Sequence, residues 1–147
     1  MIRVAGLKDL DDLREIESES FDSDSFAMSR RNFIYHIKKN PLFVYEKDKK
    51  ICGYILFFLR KNSKKARVYS IAVSEKSRGE GIASKLLEKC FSHASQSGKN
   101  LITLEVRADN KNALKTYEKL DFIRVKTLKA YYPDKTDALV MQKRLSL

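Results

Sequence analysis

Ile71-Ala72-Val73-Ser74-Glu75-Lys76-Ser77-Arg78-Gly79-Glu80-Gly81-Ile82-Ala83-Ser84 passes from an apolar run, through two glycines, into a segment of helical periodicity. Ala66 to Val73 reads as a strand. Beyond the glycines, Ile82, Leu86, Leu87, Cys90, Phe91 and Ala94 recur on one helical face, and Gly98 supplies a C-cap. In such a unit, small residues let backbone N–H groups approach a ligand closely. The helix N-terminus adds unpaired donors and a partial positive charge, which together suit a pyrophosphate. The stretch lacks the Gly-Lys-Ser/Thr ending of a phosphate-binding loop. Ser84 stands where a dinucleotide G-x-G-x-x-G would have its last glycine. From these residues alone, an ordinary strand-to-helix turn is an equally good account.

Toward the N-terminus, Ile2 to Val4 predicts a short strand. Lys8 to Ser20 predicts an amphipathic helix through Leu10, Leu13, Ile16 and Glu17, with Asp9 as N-cap. Phe21 to Met28 predicts a loop. Ser29 then caps a helix carrying Phe33, Ile34 and Ile37, which stops before Asn40-Pro41. Leu42 to Tyr45 and Ile51 to Leu59 read as strands around the charged turn Glu46 to Lys50, and Asn62-Ser63 turns the chain again. Toward the C-terminus come a strand from Leu101 to Arg107 and a helix from Asn110 to Leu120. Strands from Phe122 to Lys129 and Ala138 to Leu145 close the sheet. The order β-α-α-β-β-β-α-β-α-β-β predicts a mixed α/β sheet with helices on both faces.

The 147 residues suit one domain, 1–147, with 43% hydrophobic and 33% charged residues as in a soluble globular protein. The longest apolar run, Tyr54 to Leu59, is far short of the ~20 residues that span a bilayer. No signal peptide is evident, and Cys52 and Cys90 read as small core residues in a reducing compartment. The cytoplasm is the expected location. His36 and His93 have no partner at metal or triad spacing, so no metal is expected. A net charge of +11 attracts polyanions without choosing among nucleic acid, an anionic membrane and a phosphorylated cofactor.

Ile71-Ala72-Val73, Arg78-x-x-Gly81-x-Ala83 and Asn110-x-x-Ala113-x-x-x-Tyr117 together resemble the GNAT acetyltransferase family. Within it the chain is most similar to RimI-type and protein N-terminal acetyltransferases. That match rests on Leu104-Glu105-Val106-Arg107-Ala108, Tyr117-Glu118-Lys119-Leu120-Asp121-Phe122, Tyr131-Tyr132-Pro133-Asp134 and Asp137-Ala138-Leu139-Val140-Met141. It is close from about Ile71 onward and one of layout before that. The resemblance implies a mostly antiparallel sheet splayed at an acetyl-CoA cleft. Backbone groups of Ile71, Ala72 and Val73 would pair with the pantetheine. Arg78, Gly79, Glu80, Gly81, Ile82, Ala83 and Ser84 would form the pyrophosphate turn, with Lys85 adding countercharge. Asn110 would bond the pantetheine near the thioester, although a helix N-cap explains it equally.

Tyr117 would be the general acid, since an ordinary tyrosine with a pKa of about 10 stays protonated at neutral pH. Its rival role is a core aromatic. Glu105 would be the general base. It alternates with Ile102, Leu104 and Val106 and so faces away from that apolar row. Its rival role is an ion pair with Arg107. Phe26, Tyr131 and Tyr132 would contact the peptide, against simple aromatic packing. Relatives carry glycine where this chain has Asp121, a position that takes left-handed backbone, and aspartate tolerates that better than most residues.

The implied activity is acetyl transfer to a protein or peptide N-terminus, including that of a ribosomal protein, by a monomer. RNA contact would arise only through docking on the ribosome. A lysine or small-amine acetyltransferase, a basic nucleic-acid-binding module and a non-catalytic acyl-CoA sensor are the alternatives. An α-amine, with a pKa of roughly 7.7–8.0, sheds its proton more readily than a lysine at roughly 10.4, a gap of about 3.5 kcal/mol that a single carboxylate meets poorly.

Overall fold

A computed structural model describes residues 1–20 and 28–145. Its elements are β1 (Ile2–Val4), α1 (Leu10–Ser20), α2 (Arg30–Lys39), β2 (Leu42–Lys47), β3 (Lys50–Leu59), β4 (Lys65–Val73), α3 (Ile82–Gln96), β5 (Leu101–Arg107), α4 (Lys111–Lys119), β6 (Ile123–Leu128) and β7 (Ala138–Arg144), with 3-10 turns at Leu7–Asp9 and Glu75–Ser77. The order agrees with the expected α/β succession. One seven-stranded sheet runs β1-β2-β3-β4-β5-β7-β6, antiparallel except at the parallel pair β4–β5.

Two apolar clusters clasp the sheet. On one face α3 and α4 contribute Ile82, Leu86, Leu87, Cys90, Ala94, Leu114 and Tyr117, packed on Ile55, Phe57, Ile102, Leu104 and Val106. On the other face α1 and α2 contribute Leu10, Leu13, Ile16 and Phe33, packed on Tyr54, Leu56 and Ala72. Ile102, Leu104 and Val106 are buried while Thr103 and Glu105 point the other way, because strand side chains alternate. Gly53 sits where α3 presses closest. A Cβ there would lie 3.1 Å from Ile82 Cγ2 and 3.3 Å from Leu86 Cδ1.

Several local expectations need correction. Asp9 does not cap α1. It closes the 3-10 turn before that helix, where its carboxylate accepts from Gly6 N–H at 2.8 Å and pairs with Arg3 at 2.9 Å. The β2–β3 turn is tighter than Glu46 to Lys50. Both strands extend to it, leaving Asp48 and Lys49 as a two-residue turn with φ of 51° and 65°. Ser29 caps α2 as expected, its hydroxyl accepting from Asn32 N–H at 3.1 Å. Asp121 adopts a φ of 71°, the left-handed conformation expected of it. His36 packs among Tyr35, Phe58 and Tyr69, and His93 packs on Phe43 and Phe57.

Candidate active site

The parallel pair β4–β5 determines the shape of the site. The strands pair only from Lys65↔Leu101 to Arg67↔Thr103 and then part, opening a fork toward the C-terminal end of β4. A bulge at Tyr69 lies at the point of parting, since Val68 faces Phe57 and Ser70 faces Leu56. The extra residue reverses the alternation. Ala66 and Val68 face α3 before the bulge, and Ile71 and Val73 do so after it. Ser74 N–H bonds Cys52 carbonyl on β3 at 2.7 Å. By alternation the backbone groups of Ser70 and Ala72 point toward β3, and those of Ile71 and Val73 point into the fork.

Below the fork lies the turn into α3. Gly79 and Gly81 have φ of 85° and 76°, and a Cβ on either would meet nothing within 4 Å. These glycines answer a backbone need and leave open space around them. Gly81 is the N-cap of α3 and no side chain caps that end, so the first-turn N–H groups of Ile82, Ala83 and Ser84 have no capping acceptor from it. An uncapped helix start beside open space fits a phosphorylated ligand. The side chains around it are occupied. Arg78 Nε donates to Val73 carbonyl at 3.4 Å, Glu80 pairs with Lys47 at 2.7 Å, and Lys85 Nζ sits 5.6 Å from the centre of the Tyr45 ring.

Asn110 is the N-cap of α4, its side-chain oxygen accepting from Ala113 N–H at 3.1 Å. Two helical turns on, Tyr117 is buried against Phe122, with ring centroids 5.6 Å apart. Burial, reinforced by the nearby Tyr132 hydroxyl, pushes its pKa up to about 12. Tyr117 therefore remains a proton donor far above neutral pH.

Glu105 faces the opposite side of the sheet from the apolar row, as expected, but its ionic partner differs. Arg67 Nη2 lies 2.8 Å from Glu105 Oε1. Arg107 instead pairs with Asp109 at 3.2 Å and Asp134 at 2.6 Å, and donates to Thr136 Oγ1 at 3.0 Å. The reason is register: Arg67 pairs across from Thr103, which brings its side chain diagonally beside Glu105 on the same face. Arg107 has another task. It anchors the β6–β7 connection, holding the Asp134 carboxyl down at about 2 and lying 4.9 Å from the centre of the Tyr132 ring.

That connection carries Tyr131 and Tyr132 to the fork. The Glu105 carboxylate beside the Tyr131 hydroxyl holds the tyrosine's pKa up. Burial, and then the Glu105 charge, push Tyr132 up to about 12. Tyr132 thus lies in electrostatic reach of both Glu105 and Tyr117. The structure brings together Glu105, Tyr117, Tyr131 and Tyr132, with Ile71 and Val73 at the fork and the glycine turn below. Phe26 lies outside the described residues. Sequence reasoning missed Arg67 and gave Arg107 the wrong partner. Arg107 was expected on Glu105 and lies on Asp109 and Asp134, and Arg67 acquires its role only through the β4–β5 register. Among the described residues no group of three His, Cys, Asp or Glu side chains is arranged for a metal.

A model of the acetyltransferase (GNAT) family matches residues 10–122. The N-alpha-acetyltransferase of Saccharolobus solfataricus is 40% identical over 126 residues, which span 77% of this chain and 75% of that relative. Among solved structures, Ard1 from Thermoplasma volcanium superposes with a TM-score of 0.90 at 26% identity, covering 100% of this chain and 98% of the other. The ribosomal-protein-S18-alanine N-acetyltransferase of Escherichia coli does so with a TM-score of 0.85 at 25% identity, covering 100% and 94%. The forked sheet, the glycine turn at the start of α3 and these likenesses agree: the chain belongs to the GNAT family and is an acetyl-CoA-dependent N-acetyltransferase.

Proposed function

We propose that this enzyme acetylates the N-terminal α-amine of a protein or peptide, with Glu105 as general base and Tyr117 as general acid. The observation that carries this proposal is the bridge across the fork. Arg67 holds Glu105 at 2.8 Å beside the parting of β4 and β5, Tyr117 is buried on α4, and Arg107 holds the Tyr132 ring at 4.9 Å from its own guanidinium. The Glu105 carboxylate raises the pKa of Tyr131, and burial and then the Glu105 charge raise that of Tyr132, which supports their standing beside it.

Acetyl-CoA supplies an activated acetyl thioester. Ile71 and Val73 would hold its pantetheine through their backbone. The Gly79 to Ser84 turn would hold its pyrophosphate, with Arg78 contributing charge once released from Val73 carbonyl. Asn110 retains its amide nitrogen for the ligand while its oxygen caps α4. Glu105, directly or through one water, takes the proton that the amine nitrogen loses as the new C–N bond forms. Tyr117 donates its proton to sulfur as the C–S bond breaks. Arg67 orients Glu105 from one side, while Tyr131 contacts it from the other and would pass its hydrogen bond to the incoming peptide. A ribosomal-protein N-terminus is one candidate acceptor, on the likeness to the Escherichia coli enzyme.

Mass spectrometry of two peptides incubated with the enzyme and acetyl-CoA tests the substrate class. One has a free N-terminal alanine and no lysine; the other has a blocked N-terminus and one internal lysine. Acetylation of the first alone is expected. Acetylation of the second alone would move the enzyme to lysine side chains, and reaction with neither would point to small amines.

A further inference from the structure

The charge of this molecule is distributed by pole. Paired β4 and β5 define a closed end, opposite the mouth of the fork. The β3–β4 turn lies at that end and carries exposed Arg60, Lys61, Lys64 and Lys65. The last turn of α2 brings exposed Lys38 and Lys39 to the same end, next to the start of β2, where Phe57 N–H bonds Pro41 carbonyl at 3.1 Å. Exposed Arg144 ends β7 opposite Leu101, which in turn pairs with Lys65. Beneath the turn, buried Lys99 donates to the carbonyls of Arg60 at 2.5 Å and Ser63 at 2.7 Å, fixing its shape. A hollow of about 280 Å³ lies there, lined by Asn62, Ser63, Lys64, Ser97, Gly98 and Lys99.

Acids avoid this end. No aspartate or glutamate occurs between Asp48 and Glu75, between Glu88 and Glu105, or from Ala138 to Leu147. Asp121 approaches from the far side of β7 and is engaged by Lys143 at 3.9 Å. Among the described residues, none of the exposed cations of this pole forms an ion pair. Asp12, Glu15, Glu19, Asp48 and Glu80 instead gather around a hollow of about 400 Å³ at the open end. Exposed Tyr35 shares α2 with Lys38 and Lys39, while none of the exposed large apolar side chains belongs to the β3–β4 turn or the end of β7.

We propose that this closed, basic pole is a docking surface for the phosphate backbone of structured RNA. Cations from four chain segments, without an ion pair among the described residues, match a line of phosphates and release its counterions. The β3–β4 turn and the end of β7 present charge without an exposed apolar side chain, which favours nucleic acid over a bilayer, where interfacial binding draws on buried apolar area as well as charge. Docking by the closed end leaves the fork facing away, open to a peptide terminus. This inference does not depend on which amine is acetylated.

The test is fluorescence anisotropy of a labelled RNA hairpin with the full chain, titrated between about 50 and about 200 mM salt. The Arg60→Glu, Lys61→Glu, Lys64→Glu, Lys65→Glu variant should bind at least about tenfold more weakly, with a shallower salt dependence. An equal reversal elsewhere, Lys49→Glu, Lys50→Glu, Lys115→Glu, Lys126→Glu, should bind within about threefold of the parent. Peptide acetylation by the pole variant should be unchanged, which also reports its folding. If the reversal fails to fold, the same four positions changed to glutamine pose the same question. Equal weakening in both charge sets, no weakening at the pole, or binding to phosphatidylserine vesicles without binding to RNA would overturn the proposal.

Discussion

Tyr117 and Glu105 sit on different elements and, in the proposed mechanism, would act on different atoms, so their variants should fail differently. Tyr117→Phe keeps the ring that packs on Phe122 and removes only the proton donor. Turnover should fall by about 10²-fold or more while acetyl-CoA affinity stays level, as read by steady-state kinetics and calorimetry. Because Tyr117 is held near 12, its own ionisation should not limit the rate below about pH 11. Glu105→Gln should flatten the acid side of the pH–rate profile; an unaltered profile would assign the base elsewhere. Arg67→Ala tests orientation rather than proton transfer. It should lower kcat by about 10–100-fold with the KM for acetyl-CoA unchanged, and Arg67→Lys should restore part of the loss. A residue that merely stabilised the sheet would lower the melting temperature without splitting kcat from KM. Glu105 and Tyr117 were named as candidates from the motif, and their facing and burial were legible from strand alternation and helical spacing. Arg67 was not, because a salt bridge between strands 38 residues apart depends on register.

Three elements meet where α3 starts against β3 and β4. The turn before α3 needs left-handed backbone at Gly79 and Gly81, and the helix start needs nothing over it. Gly81→Glu adds strain at a φ of 76° and places a carboxylate where phosphate charge would lie. Acetyl-CoA binding should fall below detection by calorimetry, and undiminished affinity would put the pyrophosphate elsewhere. Gly53→Val acts from beneath by pushing on Ile82 and Leu86. It should cost about 1–3 kcal/mol of stability by overpacking, measured by denaturant unfolding, and weaken acetyl-CoA binding by displacing the helix start. The elements themselves were readable because periodicity, caps and turn residues agree locally. The exceptions were ends decided by neighbours. Asp9 was drawn to Arg3 and the Gly6 N–H, and both strands of the β2–β3 hairpin ran on to a two-residue turn.

Across the whole molecule, two clusters on opposite faces of one sheet converge on β3 and on β4, which borders the fork. A ligand that bridges the fork and the α3 turn should therefore stabilise the fold as a unit. Acetyl-CoA at about 100 times its Kd should add about 2.7 kcal/mol, visible as a rise in Tm that Gly81→Glu abolishes. Among the described residues, no helix is long and apolar enough to cross a membrane. The sequence by itself determined the order of elements, the glycine turn, the identities of the acid and base candidates, and a large positive charge. These are local or compositional properties, carried by residue type and spacing. Only the tertiary structure decided where β4 and β5 part, which side chains the Tyr69 bulge turns to each face, that Arg67 rather than Arg107 meets Glu105, and that the cations collect at the closed end. Each of these depends on which strand lies beside which and in what register, and that is settled by packing between residues far apart in the chain.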